Sequence, residues 1–260
     1  MTTPSATAAD DWRPLREELS RWAESGRVAD LWLRDDDAVE VTPALETLAG
    51  LCRRHEVPCL IAAIPARASP ELAAYVAGQP LLSVAQHGFS HRNHATGVSK
   101  AQEFPPDRPQ SDSCRDLRDG HARLSALFGA TLLPLYVPPW NRIAPEIAAL
   151  LPGVGFKAIS TFGRKPLFQS SPPLMELNTH VDIIDWRGNH GGRDAGWLAA
   201  DLAGELQWSR ETGGHRGIGV LTHHLVHDAP AWKFLASLLT VTAEYRCVRW
   251  RSAAVLAGLE

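Results

Sequence analysis

Three consecutive carboxylates mark the first place where this sequence could do chemistry. Asp35, Asp36 and Asp37 end a largely apolar stretch that begins at Leu31. Adjacent carboxylates at the end of a strand repel one another, and a bound cation is the usual way to offset that repulsion. The acidic run therefore predicts a cation site, provided that other parts of the chain supply further ligands.

Two histidines are ligands of the matching kind. His87 and His91 are four residues apart after another apolar run, so on a helical turn both rings would face the same way. Two imidazoles and one carboxylate form a facial metal site with open positions, which suits a zinc hydrolase or a non-haem iron centre. A lone histidine is more often a surface residue, but this pair after a strand favours a metal site. His94 is an alternative to His87 as the partner of His91.

Two further polar clusters also follow apolar runs. One is the turn at residues 138–141, and the other is the pair His223 and His224. The histidine-rich segment at residues 223–228 has a second metal site as an alternative interpretation. The carboxyl ends of all strands of a parallel barrel lie on one face, so the four clusters would converge there.

The elements that must position these clusters are strands that alternate with helices. Several of the predicted strands are apolar on both faces, as in a parallel sheet. This alternation predicts an α/β fold with right-handed crossovers. The predicted strands lie at residues 28–34, 57–64, 81–86, 132–137, 156–160, 217–222 and 245–250.

Length and composition limit the class of protein. The chain has 260 residues, of which 45% are hydrophobic, and a formal net charge of -3. We predict one domain at residues 11–260 after a disordered N-terminus at residues 1–10. The sequence has no basic patch interleaved with aromatics and no apolar run of membrane length, and its first residues lack the positive and apolar segments that would predict a signal peptide. It therefore predicts a cytoplasmic protein that binds neither nucleic acid nor membrane, and it leaves the oligomeric state open.

The order of the motifs resembles that of the polysaccharide deacetylases of carbohydrate esterase family 4. From about residue 31 to residue 224 the chain has an acidic pair, His-x-x-x-His, Pro-Pro-aromatic, Asp-Trp and a late strand that ends in histidine. It looks most like bacterial deacetylase-like proteins with an Arg-x-Asp-Asp start and a Pro-Pro-Trp-Asn-Arg motif. The resemblance implies a distorted (β/α) barrel, here with about seven parallel strands, and one divalent metal ion, most often zinc.

The resemblance also assigns roles to individual residues. The first Asp of the family's pair is the general base and the second is a metal ligand, which makes Asp36 the base and Asp37 the ligand. The alternative register uses Asp35 and Asp36, but the first is preferred because Ala38 then stands where the family has glycine. The other roles are metal ligands His87 and His91, general acid His223, and substrate-binding residues Pro139, Trp140, Asn141, Arg142, Asp185, Trp186 and His224, the last being the alternative acid.

The implied reaction is hydrolysis that removes an acetyl group from an N-acetylated sugar or a related amide. The substrate would be a small molecule or an oligosaccharide. Asp182 or Asp185 could hold the acid histidine in its charged form. Val137 stands where the family usually has an arginine that pairs with the base, and Arg34 or Arg142 could replace that arginine.

Two other functions use the same residues. A glycosidase would employ two carboxylates, Asp36 with Asp185, and would leave His87 and His91 without a role. A non-catalytic member of the fold would bind a glycan or a metal without turnover, and the valine at position 137 is consistent with this.

Overall fold

Parallel strands form one sheet in the computed structural model, which describes residues 11–168 and 174–260. The segment predicted to be disordered, residues 1–10, lies outside the described residues. The strands within them are β1 Ala29–Ala38, β2 Cys59–Ala63, β3 Leu82–His87, β4 Leu132–Val137, β5 Ala158–Ile159, β6 Met175–Glu176, β7 Thr179–Asp182, β8 Ile218–Thr222 and β9 Val248–Trp250.

Helices begin where the sequence supplies caps. Thr42 Oγ1 accepts the backbone N–H of Leu45 at 3.1 Å, and Ser69 Oγ accepts that of Leu72 at 3.1 Å. None of the described helices is long and apolar enough to cross a membrane. The helices are α1 Arg13–Glu24, α2 Pro43–His55, α3 Pro70–Ala77, α4 Gln110–Phe128, α5 Pro145–Ala148, α6 Leu151–Val154, α7 Ala195–Thr212, α8 Ala229–Ala243 and α9 Ala253–Ala257.

The strand order closes the sheet into a distorted barrel. The strands run in the order β6-β5-β4-β3-β2-β1-β8-β7, and β9 pairs with the beginning of β1. A parallel bridge between Phe162 and Thr179 joins the chain beyond β5 to β7, so the two edges of the sheet meet. β6 and β7 follow each other along the chain and share one position between β5 and β8. The eight strands of the stated order therefore occupy seven positions around the ring. The predicted α/β barrel with about seven parallel strands is confirmed.

Alternate residues of β1 face the helices and the barrel interior. Leu31 and Leu33 belong to the apolar cluster between the sheet and the helices, whereas Trp32 packs in a separate cluster with inward residues of β2, β3 and β4. Because successive side chains of a strand point to opposite faces, Arg34 and Asp36 continue the inward face beyond Trp32. Polar residues therefore begin where the apolar filling of the barrel ends.

One predicted helix is interrupted. The sequence predicts a helix over residues 144–151, but the structure has two short helices, α5 and α6, of four residues each. Pro152 lies in the first turn of α6. Proline has no backbone N–H to continue the hydrogen bonds of the preceding helix, so the chain must start a new one.

Candidate active site

The side chains of Asp37, His87 and His91 converge at the carboxyl ends of β1 and β3. Asp37 Oδ1 lies 3.2 Å from His87 Nε2 and 3.3 Å from His91 Nε2. Potential ligand atoms of the three residues lie within 4.8 Å of one another, a spacing that one metal ion can bridge. Burial raises the pKa of Asp37, but the two histidines lower it more, so its pKa lies well below the usual range.

Two observations indicate that this triad fits a divalent cation. Asp37 Oδ1 is buried, and no group among the described residues meets it in hydrogen-bond geometry. His87 Nδ1 lies 3.0 Å from the carbonyl oxygen of Val137, so this ring nitrogen is the donor and Nε2 faces Asp37. A proton or a cation must therefore separate the facing nitrogen and oxygen lone pairs. A divalent cation would serve all three ligand atoms at once.

A bulge at the end of β1 brings two adjacent carboxylates to the same side. The pairing of β1 with β2 shifts register between Asp35 and Ala38, and Asp37 has a φ of 75°. In a regular strand Asp36 and Asp37 would face opposite sides of the sheet. The bulge instead turns Asp37 into the same cavity as Asp36. Such a backbone conformation is costly for a residue other than glycine and is typical of functional sites.

A buried carboxylate holds the loop that carries His91. Glu103 accepts the backbone N–H groups of Phe89 at 3.0 Å and of Ser90 at 2.7 Å, and the Ser90 hydroxyl at 2.9 Å. Gly88 has a φ of 58°, and a Cβ at this position would lie 2.0 Å from Glu103 Oε2, so the close approach requires glycine. The loop is not the helical turn that the spacing of the histidines predicted. Its backbone N–H groups bind the carboxylate of Glu103 instead.

Asp36 is paired with a fully buried arginine. Arg34 Nε lies 2.9 Å from Asp36 Oδ1, and Nη2 donates to Asp36 Oδ2 at 3.0 Å. Other donors of the same guanidinium bind Ser160 Oγ at 2.7 Å and Asn141 Oδ1 at 2.6 Å. Arg34 therefore makes, from β1, the contact that the resemblance expected of an arginine at the position of Val137.

Asp35 lies on the other face of β1, with His224. The Thr222 hydroxyl donates to Asp35 Oδ2 at 2.7 Å, the backbone N–H of His224 donates to the same oxygen at 2.9 Å, and the His224 ring bonds Asp35 Oδ1. Burial raises the pKa of Asp35, but the charge and hydrogen bond of His224 lower it more. Neither side chain lines the cavity. This pair joins the chain after β8 to β1.

His223, in contrast to His224, faces the cavity. Its Nε2 lies 3.9 Å from Asp36 Oδ2, and its ring packs edge-on against Trp186 with the ring centroids 4.7 Å apart. Its Nδ1 is buried, and no polar group of the described ranges bonds it. The ring therefore stands next to both the Asp36 carboxylate and the cavity, where a proton donor to a substrate would have to be.

Asp182, at the end of β7, lines the cavity, whereas Asp185 does not. Asp182 Oδ2 accepts the indole N–H of Trp186 at 2.8 Å. Burial raises the pKa of Asp182, and His223 partly offsets this increase. Asp185 instead accepts backbone N–H groups of the following turn, including that of Gly188 at 3.0 Å. Of these two carboxylates, Asp182 is therefore the one that shares the cavity with His223.

The turn after β4 ties three strands together. Trp140 and Asn141 have φ values of 54° and 55°. The Trp140 ring lies 4.3 Å from the ring of His91, while Asn141 bonds Arg34 as described above. Pro139 is buried and packs against Gly88, where an added Cβ would lie 2.5 Å from the proline ring. The turn thus contacts both the triad and the buried arginine.

A cavity of about 590 Å³ collects most of the predicted site residues. Pro139, Asp185 and His224 do not line it, and His94 is not part of the triad. Sequence analysis did not select Phe162 or Arg187, although Phe162 follows β5 just as the other clusters follow their strands. The lining residues are Asp36, Asp37, His87, His91, Trp140, Asn141, Arg142, Phe162, Asp182, Trp186, Arg187 and His223.

A second group of potential ligands, His180, Glu205 and His215, lies near the amino end of β8. His180 Nδ1 accepts the backbone N–H of Gly219 at 3.0 Å, so Nε2 of the neutral ring carries the proton and offers no lone pair. Arg164 Nε donates to Glu205 at 2.9 Å and already compensates its charge. This group therefore does not fit a metal ion as the triad does.

Comparison with known proteins identifies the fold. No protein-family model matches the chain, and no curated protein matches its sequence. A protein from Mycobacterium smegmatis assigned to the polysaccharide deacetylases aligns over 99% of this chain and 94% of its own, with a TM-score of 0.65 and 16% identity. A family 4 acetyl xylan esterase from Clostridium thermocellum, in complex with a cobalt ion, aligns over 88% of this chain and 91% of its own, with a TM-score of 0.58 and 14% identity.

A third solved structure is a mutant of a CE4 family pseudoenzyme with restored enzymatic activity. It aligns over 89% of this chain and 68% of its own, with a TM-score of 0.54 and 14% identity. The chain therefore has the fold of the polysaccharide deacetylases, a fold that both active and inactive proteins share.

Proposed function

We propose that this chain is a metal-dependent hydrolase that removes the acetyl group from an N-acetylated sugar or a related amide. One juxtaposition carries the proposal: a triad that fits a divalent cation shares a cavity with an arginine-paired carboxylate and a histidine. The shared fold with deacetylases and an acetyl xylan esterase supports the same class of reaction.

Asp37, His87 and His91 would hold one divalent cation, and zinc is an ion that two imidazoles and one carboxylate suit. When bound, such an ion lowers the pKa of water from about 15.7 toward ~7 and polarises the acyl carbonyl. Three protein ligands leave part of the coordination sphere open, as a catalytic site requires.

Asp36 acts as the general base in this scheme. Its carboxylate takes a proton from the water whose oxygen attacks the carbonyl carbon. Two contacts from Arg34 fix the orientation of the carboxylate. Arg34 also donates hydrogen bonds to Asn141 and Ser160, and these contacts hold the guanidinium group that orients the base.

His223 acts as the general acid. It gives a proton to the amine nitrogen as the carbon–nitrogen bond breaks, so the products are acetate and a free amine. The resemblance implies that the backbone N–H of Trp140 faces the oxygen on which negative charge develops. Removing one donor of this kind typically costs about 3 kcal/mol of transition-state stabilisation.

The two alternative functions account for fewer features of the site. A two-carboxylate glycosidase built on Asp36 and Asp185 needs a residue that does not line the cavity, and it gives the triad no role. A non-catalytic member of the fold would keep the metal site without turnover. Among the solved structures, the CE4 pseudoenzyme is the observation that favours this second candidate.

Metal analysis combined with acetate release tests the proposal. We expect purified protein to bind about one divalent ion, and Asp37→Ala and His87→Ala to lose it. Asp36→Asn should keep the ion while acetate release from N-acetylated oligosaccharides falls by about 10²–10⁴-fold. His94→Ala is the matched control, since this histidine lies on the same loop outside the triad.

The outcomes separate the candidates. Wild-type metal content in both Asp37→Ala and His87→Ala would show that the site is wrong. Metal binding that depends on the triad, without acetate release from any amide or ester, would favour the non-catalytic candidate. Cleavage of a glycosidic bond that continues in the presence of a chelator would favour the glycosidase.

A further inference from the structure

Two arginines of the cavity lining form no ion pair with any carboxylate in the part of the chain that the structure describes. Arg142 Nη1 donates to the carbonyl oxygen of Ala101 at 3.1 Å, which leaves its positive charge uncompensated. The side chain of Arg187 makes no hydrogen bond or ion pair with the residues that the structure describes. Both residues are exposed. They contrast with Arg34, whose positive charge is compensated by the carboxylate of Asp36.

The acidic groups of the same cavity are already engaged. Asp36 faces Arg34, and Asp37 faces the two histidines of the triad. Asp182 accepts the indole N–H of Trp186. None of these carboxylates forms an ion pair with Arg142 or Arg187, so neither guanidinium group is neutralised by a carboxylate of the lining.

The strand order places Arg142 and Arg187 on the same side of the barrel. Arg142 follows β4 and Arg187 follows β7, while Phe162 follows β5, the strand between them in the ring. The side chains of Phe162 and Trp186 remain 43% and 42% exposed, so they offer apolar surface in the cavity that the two arginines also line. Guanidinium groups match the geometry of carboxylate and phosphate, and aromatic rings pack against the apolar faces of ring-shaped ligands.

We propose that the substrate is anionic, with a carboxylate or phosphate group beside the N-acetylated ring, and that Arg142 and Arg187 bind this group. The proposal rests on the proposed hydrolase function and names the substrate class for it. A neutral oligosaccharide would place uncharged hydroxyls against both guanidinium groups. An anionic substrate would pair with them while its acetamido group reaches the triad.

Three soluble probes test this assignment on the zinc-loaded protein. N-acetylglucosamine is neutral, N-acetylglucosamine 6-phosphate carries a phosphate, and N-acetylmuramic acid carries a carboxylate. We expect kcat/KM for acetate release to be at least about tenfold higher for one or both anions, chiefly through a lower KM. The two anionic probes distinguish phosphate from carboxylate as the recognised group.

Substitution of the arginines tests the residues themselves. In Arg142→Gln and Arg187→Gln the ratio of anionic to neutral kcat/KM should fall by about five- to tenfold, and Arg187→Lys should retain part of it. Arg249→Gln is the control, because it removes an exposed arginine of β9 outside the cavity lining. Equal kcat/KM for all three probes, or an unchanged ratio in both glutamine variants, would overturn the assignment.

Calorimetry separates this proposal from the hydrolase proposal. Acetate release from the wider set of amides and esters tests the hydrolase proposal. Binding of the three probes to wild type, Arg142→Gln and Arg187→Gln decides whether the site recognises an anion, even where none of the three releases acetate. Tighter binding of the anionic probes that is lost in the variants supports the assignment. Equal binding of neutral and anionic probes contradicts it.

Discussion

The ion pair of Arg34 and Asp36 links the interior of the barrel to the candidate site. Both side chains are almost completely buried, with 0% and 3% of their surface exposed. A buried charge without a partner is costly, so each of these residues depends on the other. The pair therefore combines a stability role with the orientation of the proposed base.

A double-mutant cycle measures this dependence. We expect Arg34→Met to lower the free energy of unfolding by about 3–5 kcal/mol, because Asp36 would remain buried without its partner. The double variant Arg34→Met/Asp36→Leu should cost less than the sum of the single variants. Urea unfolding gives all of these values, and Arg249→Gln, an exposed arginine, should stay within about 0.5 kcal/mol of wild type. Additive costs in the cycle would contradict the coupling.

At the scale of elements, the loop after β3 determines whether the triad forms. Its conformation depends on Glu103, which approaches from the long connection before α4 and accepts three hydrogen bonds from the loop. His91 has a φ of 57°, so its ring is placed by a backbone that other contacts must hold. Glu103 is therefore a positioning residue for a proposed metal ligand that it does not touch.

Substitution of Glu103 should weaken metal binding more than it perturbs the fold. We expect Glu103→Ala to lower zinc affinity by about 10–100-fold, and Glu103→Gln to lower it less because its carbonyl oxygen still accepts hydrogen bonds. Competition with a chromophoric chelator measures the affinity, and circular dichroism checks the helices. Glu176→Gln is a matched control, because Glu176 accepts backbone N–H groups of Leu167 and Phe168 away from the triad. Unchanged affinity in Glu103→Ala would refute the positioning role.

The sequence predicted the strands because their hydrophobic patterns are local. It predicted the polar clusters because each one directly follows a strand along the chain. These patterns could not determine which carboxylates face the cavity, since a regular strand would separate Asp36 from Asp37 and only the bulge brings them together. Similarly, the four-residue spacing of His87 and His91 predicted a helical turn. The loop conformation depends instead on hydrogen bonds to Glu103, which lies 13 residues beyond Ser90 and outside any helical or strand period.

Arg34 and Phe162 show two further limits of sequence reasoning. Arg34 is two residues before Asp36, so strand alternation alone places it on the same face, but its other partners, Ser160 and Asn141, follow β5 and β4 and meet it only in the folded barrel. Phe162 follows a strand at the correct end, yet a search restricted to polar residues passes over it. Both residues contribute to the site through packing that only the closed barrel creates.

At the scale of the whole molecule, the two ends of the barrel differ in what their titratable groups do. The carboxyl end collects the triad, Asp36 and His223 around a cavity. The group of His180, Glu205 and His215 near the amino end of β8 is held by Gly219 and Arg164 instead. We therefore expect this second group to affect the pH dependence of folding and to leave the chemistry unaffected.

The pH dependence of stability should contain a component from His180. Burial and the charge of His215 lower the pKa of His180 to about 3, despite the opposing effect of Glu205. In the unfolded chain the pKa of this histidine is about 6.5. At pH values between about 3 and 6.5 the unfolded chain therefore binds a proton that the folded chain does not. The free energy of unfolding consequently falls as the pH falls through this range. His180→Asn keeps an acceptor for the Gly219 N–H without titrating. From pH 7 to pH 5, wild type should lose about 1–2 kcal/mol more than this variant in urea unfolding. His190→Asn, at an exposed position, is the matched control, and parallel curves for wild type and His180→Asn would disprove the assignment.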